Sequence, residues 1–273
     1  QPVVWTYHPY MLDSLPGNHW GPLVYHCVDD LSVIPGIDCD SYRAAERCLL
    51  AKSDVVFTTS QELLAHCLQV NSNSYFYPNV ADIEHFSVAR EIGSLPQEFD
   101  NIPEPRIGYI GVLSDFKVDF QLVSDVAEAR PEWHWVFIGE EREGQSNIIV
   151  EHLKTLPNIH FIGRRDYQEL PQYMRGLAVG ALPSVINDYT RSMFPMKYFE
   201  YLAAGLPIVA TPLEFTKQYS DGMLVSDSSA SFIAAVEHQL ARGRFSDEQS
   251  VSYVGDNTWS ARLEKMLASI ESF

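Results

Sequence analysis

The sequence predicts an α/β protein of two doubly wound units, and three observations predict it. β-rich and helix-like patches alternate along the 273 residues, the order expected of parallel sheets with helical crossovers. The β-rich runs are apolar on successive residues, as strands covered by helices on both faces must be. The alternation breaks once, near residues 87–106, where VAREIGSLPQEFDNIPEPR is rich in Pro and acid and has no period, and then it restarts.

In chain order, PVVWTY (2–7), PLVYHCV (22–28), DVVFTT (54–59) and SYFYPN (74–79) read as strands. DSYRAAERCLLAKS reads as a helix capped by Asp40 or Ser41. SQELLAHCLQ reads as another, with Ser60 as cap and Glu62 close behind. The unpatterned stretch is then a linker. Beyond it RIGYIGVL (106–113), WHWVFIGE (133–140), NIHFIGR (158–164), LAVGALPS (177–184), LPIVAT (206–211) and GMLVSD (222–227) read as strands. The helical stretches DFQLVSDVAEAR, SNIIVEHLKTL, YQELPQYMRGL, PMKYFEYLAAG and SASFIAAVEHQLAR separate them, and NTWSARLEKMLASIESF closes the chain, with Asn257 or Thr258 as its cap. The boundaries are therefore placed at 1–100, 101–256 and a final helix over 257–273. Four strands are thin for a Rossmann-like first domain, which is expected to lack its opening β-α units.

Charge excludes whole function classes. Against 36 Asp and Glu stand 19 Lys and Arg, a balance of −17 that repels phosphate backbones and anionic lipid at long range. Nucleic acid is not an expected partner, and docking on a membrane surface would need a local basic patch. No apolar run reaches the ~18 residues that would span a bilayer, and QPVVWTYHPY lacks the blocks of a secretory leader. Cys27, Cys39, Cys48 and Cys67 match no zinc spacing. They read as reduced, mostly buried thiols of a cytoplasmic protein with no metal site.

Two loops after strands could approach a ligand. In GYIGVLSDF, glycines allow backbone to come close to phosphate, although a tight turn alone would also need them. The spacing is not GxGxxG, which argues against a nicotinamide or flavin site. FIGRRDYQELP sets Arg164 and Arg165 just past the C-terminal end of a strand, where ligands collect in open α/β sheets; a solvated pair is the alternative.

RSMFPMKYFEYLAAGLPIVAT (191–211) is more telling. Pro195 suits a first helical residue and Gly205 the position past the end, so a helix is expected over about 195–204. Met196 and Lys197 stand in its first turn, where the helix dipole would ordinarily prefer an acid. A lysine there points to an anionic partner. Lys197 and Glu200 are three apart and share a face, with Tyr201 alongside, while Phe199, Leu202 and Ala203 form the packed face. An exposed Lys–Glu pair of little energetic consequence is the alternative.

INDYTRSMFPMKYFEYLAAGLPIVAT resembles the nucleotide-sugar site of retaining GT-B glycosyltransferases of the GT4 kind. PMKYFEYLAAGLPIVAT is particularly similar to the bacterial enzymes of capsule, teichuronic-acid and exopolysaccharide assembly, xanthan glucuronosyltransferase included. VVFTTSQELL, YPNVADIEHF and RIGYIGVL resemble other motifs of that family in the same order, and NTWSARLEKML, with Trp259, resembles its terminal helix. The resemblance covers nearly the whole chain.

It implies two Rossmann-like domains facing across a cleft, with acceptor binding on 1–100, nucleotide-sugar binding on 101–256 and the last helix crossing back to the first domain. Glu200 would hold the ribose hydroxyls, Lys197 would neutralise the diphosphate, Arg164 would meet base or phosphates, and Gly111 would let its loop approach the donor. Met196, Tyr201 and Ser192 are counted in the same donor site. Lysine and helix N-terminus would stabilise the departing diphosphate without a metal, and no cofactor is expected beyond the donor itself, UDP-linked. One departure stands out: the family's first glutamate, eight residues before the second, falls on Ser192.

LVYHCVDDL ends a strand with Asp29 and Asp30, and WTYHPY ends another with His8. Such groups could take a proton from an acceptor hydroxyl or orient the sugar; an Asp that merely caps a turn is the alternative. Asp30 ranks first, then Asp29, then His8. The expected function is transfer of a sugar from a nucleoside diphosphate donor to a bacterial polysaccharide or lipid-linked glycan, the latter at the inner face of the membrane. A nucleotide-sugar epimerase and a catalytically inactive nucleotide-sugar-binding partner are the alternatives.

Overall fold

A computed structural model of the chain describes residues 2–15, 21–141 and 148–271. The first two residues of the predicted SNIIVEHLKTL helix and the last two of the closing helix lie outside them. In chain order the strands are β1 Val4–Thr6, β2 Leu23–Cys27, β3 Val55–Thr58, β4 Ser74–Phe76, β5 Arg106–Ile110, β6 His134–Ile138, β7 Ile159–Phe161, β8 Val179–Leu182, β9 Ile208–Ala210 and β10 Met223–Val225. The α-helices are α1 Cys39–Lys52, α2 Gln61–Cys67, α3 Ile83–Ser87, α4 Phe120–Ala129, α5 Ile148–Leu153, α6 Leu170–Arg175, α7 Asp188–Arg191, α8 Lys197–Ala203, α9 Ser229–Arg242, α10 Asp247–Val254 and α11 Trp259–Ile270. All ten predicted strands form.

The chain divides into two compact units: residues 1–79, 187–195 and 259–273, and residues 80–186 and 196–258. The expected boundary near 100 is therefore displaced. The expected linker, 87–106, is not free chain. It carries two 3-10 turns, Val88–Arg90 and Gln97–Asn101, and its Ala89, Phe99 and Ile102 are buried within the second unit. No periodicity marks this segment because its burial comes from scattered anchors.

The first unit has a four-stranded parallel sheet in the order β1-β2-β3-β4. Alternate residues feed opposite faces. Leu23, Tyr25, Cys27 and Val56 pack with Leu49, Leu50, Leu63 and Cys67 of α1 and α2, whereas Val24, Val55 and Phe57 pack with Met266 and Ile270 of α11. That two-sided burial is what the continuous apolar runs demanded. Asp38, not Asp40 or Ser41, caps α1, its carboxylate accepting the Ser41 N–H. Ser60 caps α2 as expected. Cys27 and Cys67 are buried while Cys39 and Cys48 are exposed, and all four are free, so only half of the thiols are buried.

The second unit has a six-stranded parallel sheet in the order β10-β9-β8-β5-β6-β7. The chain lays down β5, β6 and β7 outward and then returns to add β8, β9 and β10 on the other side. The reversal falls between β5 and β8, the kind of switch point where open sheets bind ligands. Trp135, Phe137, Val179, Val209 and Phe232 lie in its main core.

Candidate functional site

Three adjacent strands of the second unit end alike, in Ile110-Gly111, Ile138-Gly139 and Ile162-Gly163. The glycines let the loops beyond touch backbone to backbone. Gly111 N–H donates to the Ile138 carbonyl at 3.0 Å, Leu113 N–H to the Glu140 carbonyl at 3.1 Å, and Gly139 N–H to the Gly163 carbonyl at 3.1 Å. A side chain on Gly139 would collide with the Gly111 carbonyl oxygen. Gly163 has φ +79°, a conformation that favours glycine.

Over these loops lies a pocket of about 190 Å3, lined by Gly111, Glu140, Arg164, Arg165, Leu170 and Lys197 among others. Three cations and one carboxylate stand here in a chain of net charge −17. The pocket therefore inverts the sign of the protein around it, which suits an anion.

The two arginines divide. Arg165 is tethered, donating to the Tyr173 hydroxyl at 2.5 Å and to Glu98 at 2.6 Å. Arg164 has a side chain 65% exposed, and its one ion pair among the described residues is a 3.8 Å contact with Glu140, which leaves it accessible to a ligand.

Lys197 opens α8, two residues later than the predicted start. Pro195 groups with the first unit, Met196 precedes the helix without capping it, and Gly205 follows its end at φ +76°. The Lys197 ammonium donates to Glu200 at 2.5 Å, and the Glu200 side chain is 2% exposed. This is not the exposed pair of the alternative reading, because one partner is out of water.

Tyr167 belongs to the same neighbourhood. Burial, then the charges of Glu200 and Asp82, push its phenol up to about 12, and its ring stacks on His85 at 4.5 Å. Sequence reading missed Tyr167, Gly139 and Glu140; the repeated Ile-Gly pair was the available signal for the last two.

Three residues expected at the donor site sit otherwise. Tyr201 does not share the open face of α8: it is fully buried and bonded to β5. Met196 is 43% exposed and does not line the pocket. Ser192 groups with the first unit, where its hydroxyl donates to the Tyr189 carbonyl.

In the first unit, Asp30 caps a 3-10 turn. Its Oδ1 accepts from the Ser32 N–H and hydroxyl, and its Oδ2 from Arg43 at 2.6 Å. Both of its oxygens are thus already engaged by donors. His8 likewise caps a turn, its Nδ1 accepting the Tyr10 N–H at 3.4 Å. Asp29 follows β2 and is half-buried.

Among the described residues no group of three or more His, Cys, Asp or Glu could hold a metal ion, and no helix is long and apolar enough to cross a membrane.

The family model described as "Glycosyl transferases group 1" matches residues 104–242, which is half of the chain. TuaH of Bacillus subtilis (strain 168), whose name assigns it to teichuronic acid biosynthesis as a glycosyltransferase, is 34% identical over 140 residues. That alignment covers 50% of this chain and 35% of TuaH, so the match spans about a third of the relative. Sucrose-phosphate synthase from Thermosynechococcus elongatus superposes with a TM-score of 0.77 at 17% identity, over 99% of this chain and 73% of that one. HepE of Anabaena, in a structure holding UDP, gives 0.73 at 16% identity over 92% and 72%. Both likenesses show the fold.

Proposed function

This chain belongs to the glycosyl transferases group 1 family, and on that premise we propose that it moves a sugar from a nucleoside diphosphate donor, UDP-linked, to a glycan or lipid-linked acceptor in bacterial polysaccharide assembly. The observation that carries the reading is the pocket at the ends of β5, β6 and β7, where Arg164 and Lys197 converge on backbone that glycine leaves bare. Lys197 takes the diphosphate, Arg164 takes base or phosphates, and Gly111 admits the donor to the backbone. HepE, which shares the fold, holds UDP in one structure and UDP-glucose in another, and TuaH is named for teichuronic acid biosynthesis.

Glu200 enters as an exchange partner. Before the donor arrives its carboxylate holds Lys197. A diphosphate competes for the ammonium, and the released carboxylate then accepts the ribose hydroxyls, a charge-assisted arrangement. As the glycosidic bond breaks, charge grows on the departing diphosphate, and Lys197 and Arg164 stabilise it. Transfer of a hexosyl or uronosyl group without a metal ion, and acceptor-side roles for Asp30, Asp29 and His8, complete the proposal.

Calorimetry with UDP, GDP and ADP tests it. UDP binding that weakens at least tenfold in Lys197→Ala and Arg164→Ala is expected; absence of binding by all three nucleotides overturns it.

A further inference from the structure

The first unit has its own cavity, of about 290 Å3, lined by Asp30, Arg43, Glu62, His66, Asp188 and Arg191 among others. That is several times the ~30 Å3 share of one water and suits a single ring. Three carboxylates, two guanidiniums and an imidazole make it neither an anion trap nor an apolar groove. The matching ligand carries hydroxyls, each of which donates and accepts.

One side chain of this lining is held from behind. His66 Nε2 lies 2.9 Å from Oε2 of Glu46, whose side chain is 2% exposed. Tyr25 donates to the other Glu46 oxygen at 3.0 Å, and Arg43 Nη1 donates to Oε2 at 3.0 Å. Burial pushes the Glu46 carboxyl up, but the hydrogen bond and charge of His66, then the bonds from Tyr25 and Arg43, outweigh it and hold the group below the usual glutamate range. An ionised Glu46 only accepts, so the 2.9 Å contact is a hydrogen bond donated by His66 Nε2. The 3.1 Å approach of Arg43 Nη1 to that nitrogen is then two donors converging on one oxygen. Nδ1 makes no hydrogen bond among the described residues, and a sugar hydroxyl, which both donates and accepts, can pair with it in either charge state of the ring. Asp30, beside it, has both oxygens occupied.

We propose that this cavity seats one sugar ring of the acceptor, and that His66, held in orientation by Glu46, makes a hydrogen bond through Nδ1 to a hydroxyl of that ring. The inference rests on the transferase reading above for calling the sugar an acceptor.

Imidazole resonances of the full chain, carrying isotope-labelled histidine, are followed while methyl glycosides of glucose, galactose, mannose, N-acetylglucosamine and glucuronic acid are added. At least one glycoside is expected to shift the His66 signals saturably, and Glu46→Gln is expected to abolish that shift. No shift with any of the five, or an unchanged shift in Glu46→Gln, overturns the proposal. Should Glu46→Gln fail to fold, His66→Gln at the rim replaces it, with sugar binding read by saturation transfer: lost binding supports the proposal and retained binding overturns it. UDP added to the same sample separates the two readings. Missing UDP binding sinks the transferase reading, whereas a silent His66 with UDP bound sinks only this one.

Discussion

The phenol oxygen of Tyr201, on α8, accepts the backbone N–H of Ile110, on β5, at 3.0 Å. Ile110 precedes the Gly111 loop, so this one bond ties the helix carrying Lys197 to the strand end beneath the pocket. Gly180 on β8 makes room for it, since a Cβ there would stand 2.6 Å from the Tyr201 ring. Tyr201→Phe keeps the ring but leaves the buried N–H unmet, at a cost of about 1–3 kcal/mol. A lowered denaturant midpoint with weaker UDP binding is expected, read by urea unfolding and calorimetry.

Gly139→Ala tests the contact between strand-end loops. Its Cβ would displace the Gly111 carbonyl, and backbone cannot turn aside as a side chain can. UDP binding is expected to vanish in calorimetry while far-ultraviolet dichroism stays near that of the parent. Unimpaired binding would show that the loops need not touch.

Lys197→Met should do two separable things. It strands the buried Glu200 carboxylate, costing about 1–3 kcal/mol, and it removes the cation offered to the diphosphate. Adding Glu200→Gln is expected to restore the thermal midpoint but not the affinity for UDP. If the double variant regains UDP binding, the lysine serves only its neighbour.

His26, on β2, has both ring nitrogens buried without a hydrogen-bond partner, and Trp5, Tyr7 and Phe57 lie against its ring. Burial, then the charge of Arg262, push its imidazole down to about 4. In the unfolded chain it titrates near ~6.5, so between these values the unfolded state binds more protons. The stabilisation from keeping His26 neutral is complete above ~6.5 and is lost as pH falls towards 4, about 3 kcal/mol across the window. His26→Phe should flatten this part of a stability-versus-pH curve measured by urea unfolding; an unchanged slope would place the acid sensitivity elsewhere.

The strands and most helices were legible because two-sided burial writes itself into consecutive apolar residues. Leu23, Val24 and Tyr25 announce a covered strand whichever face each one takes. Helix ends were less legible where capping choices crowd together. Asp38, Asp40 and Ser41 are all competent caps, and only the folded backbone shows that Asp38 takes the role, its carboxylate accepting the Ser41 N–H. The segment 87–106 was opaque for another reason: Phe99 anchors it by contacts distant in sequence, against the Tyr173 ring and beside Gly176, which no local period records.

At the candidate sites, sequence by itself determined the residue types and the strand ends that carry them: Gly111, Arg164, Lys197 and Glu200, with Asp30 in the other unit. Only the tertiary structure decided what each can do. It left Arg164 open and tethered Arg165, sank Tyr201 into the sheet and Glu200 beside its lysine, and gathered Ser192 into the first unit. It also set the buried Glu46 behind His66, twenty residues away in sequence. The physical reason is common to all of these. A side chain's chemistry follows from its residue type, but its charge, its free lone pairs and its access to a ligand depend on neighbours that folding alone brings within hydrogen-bond reach.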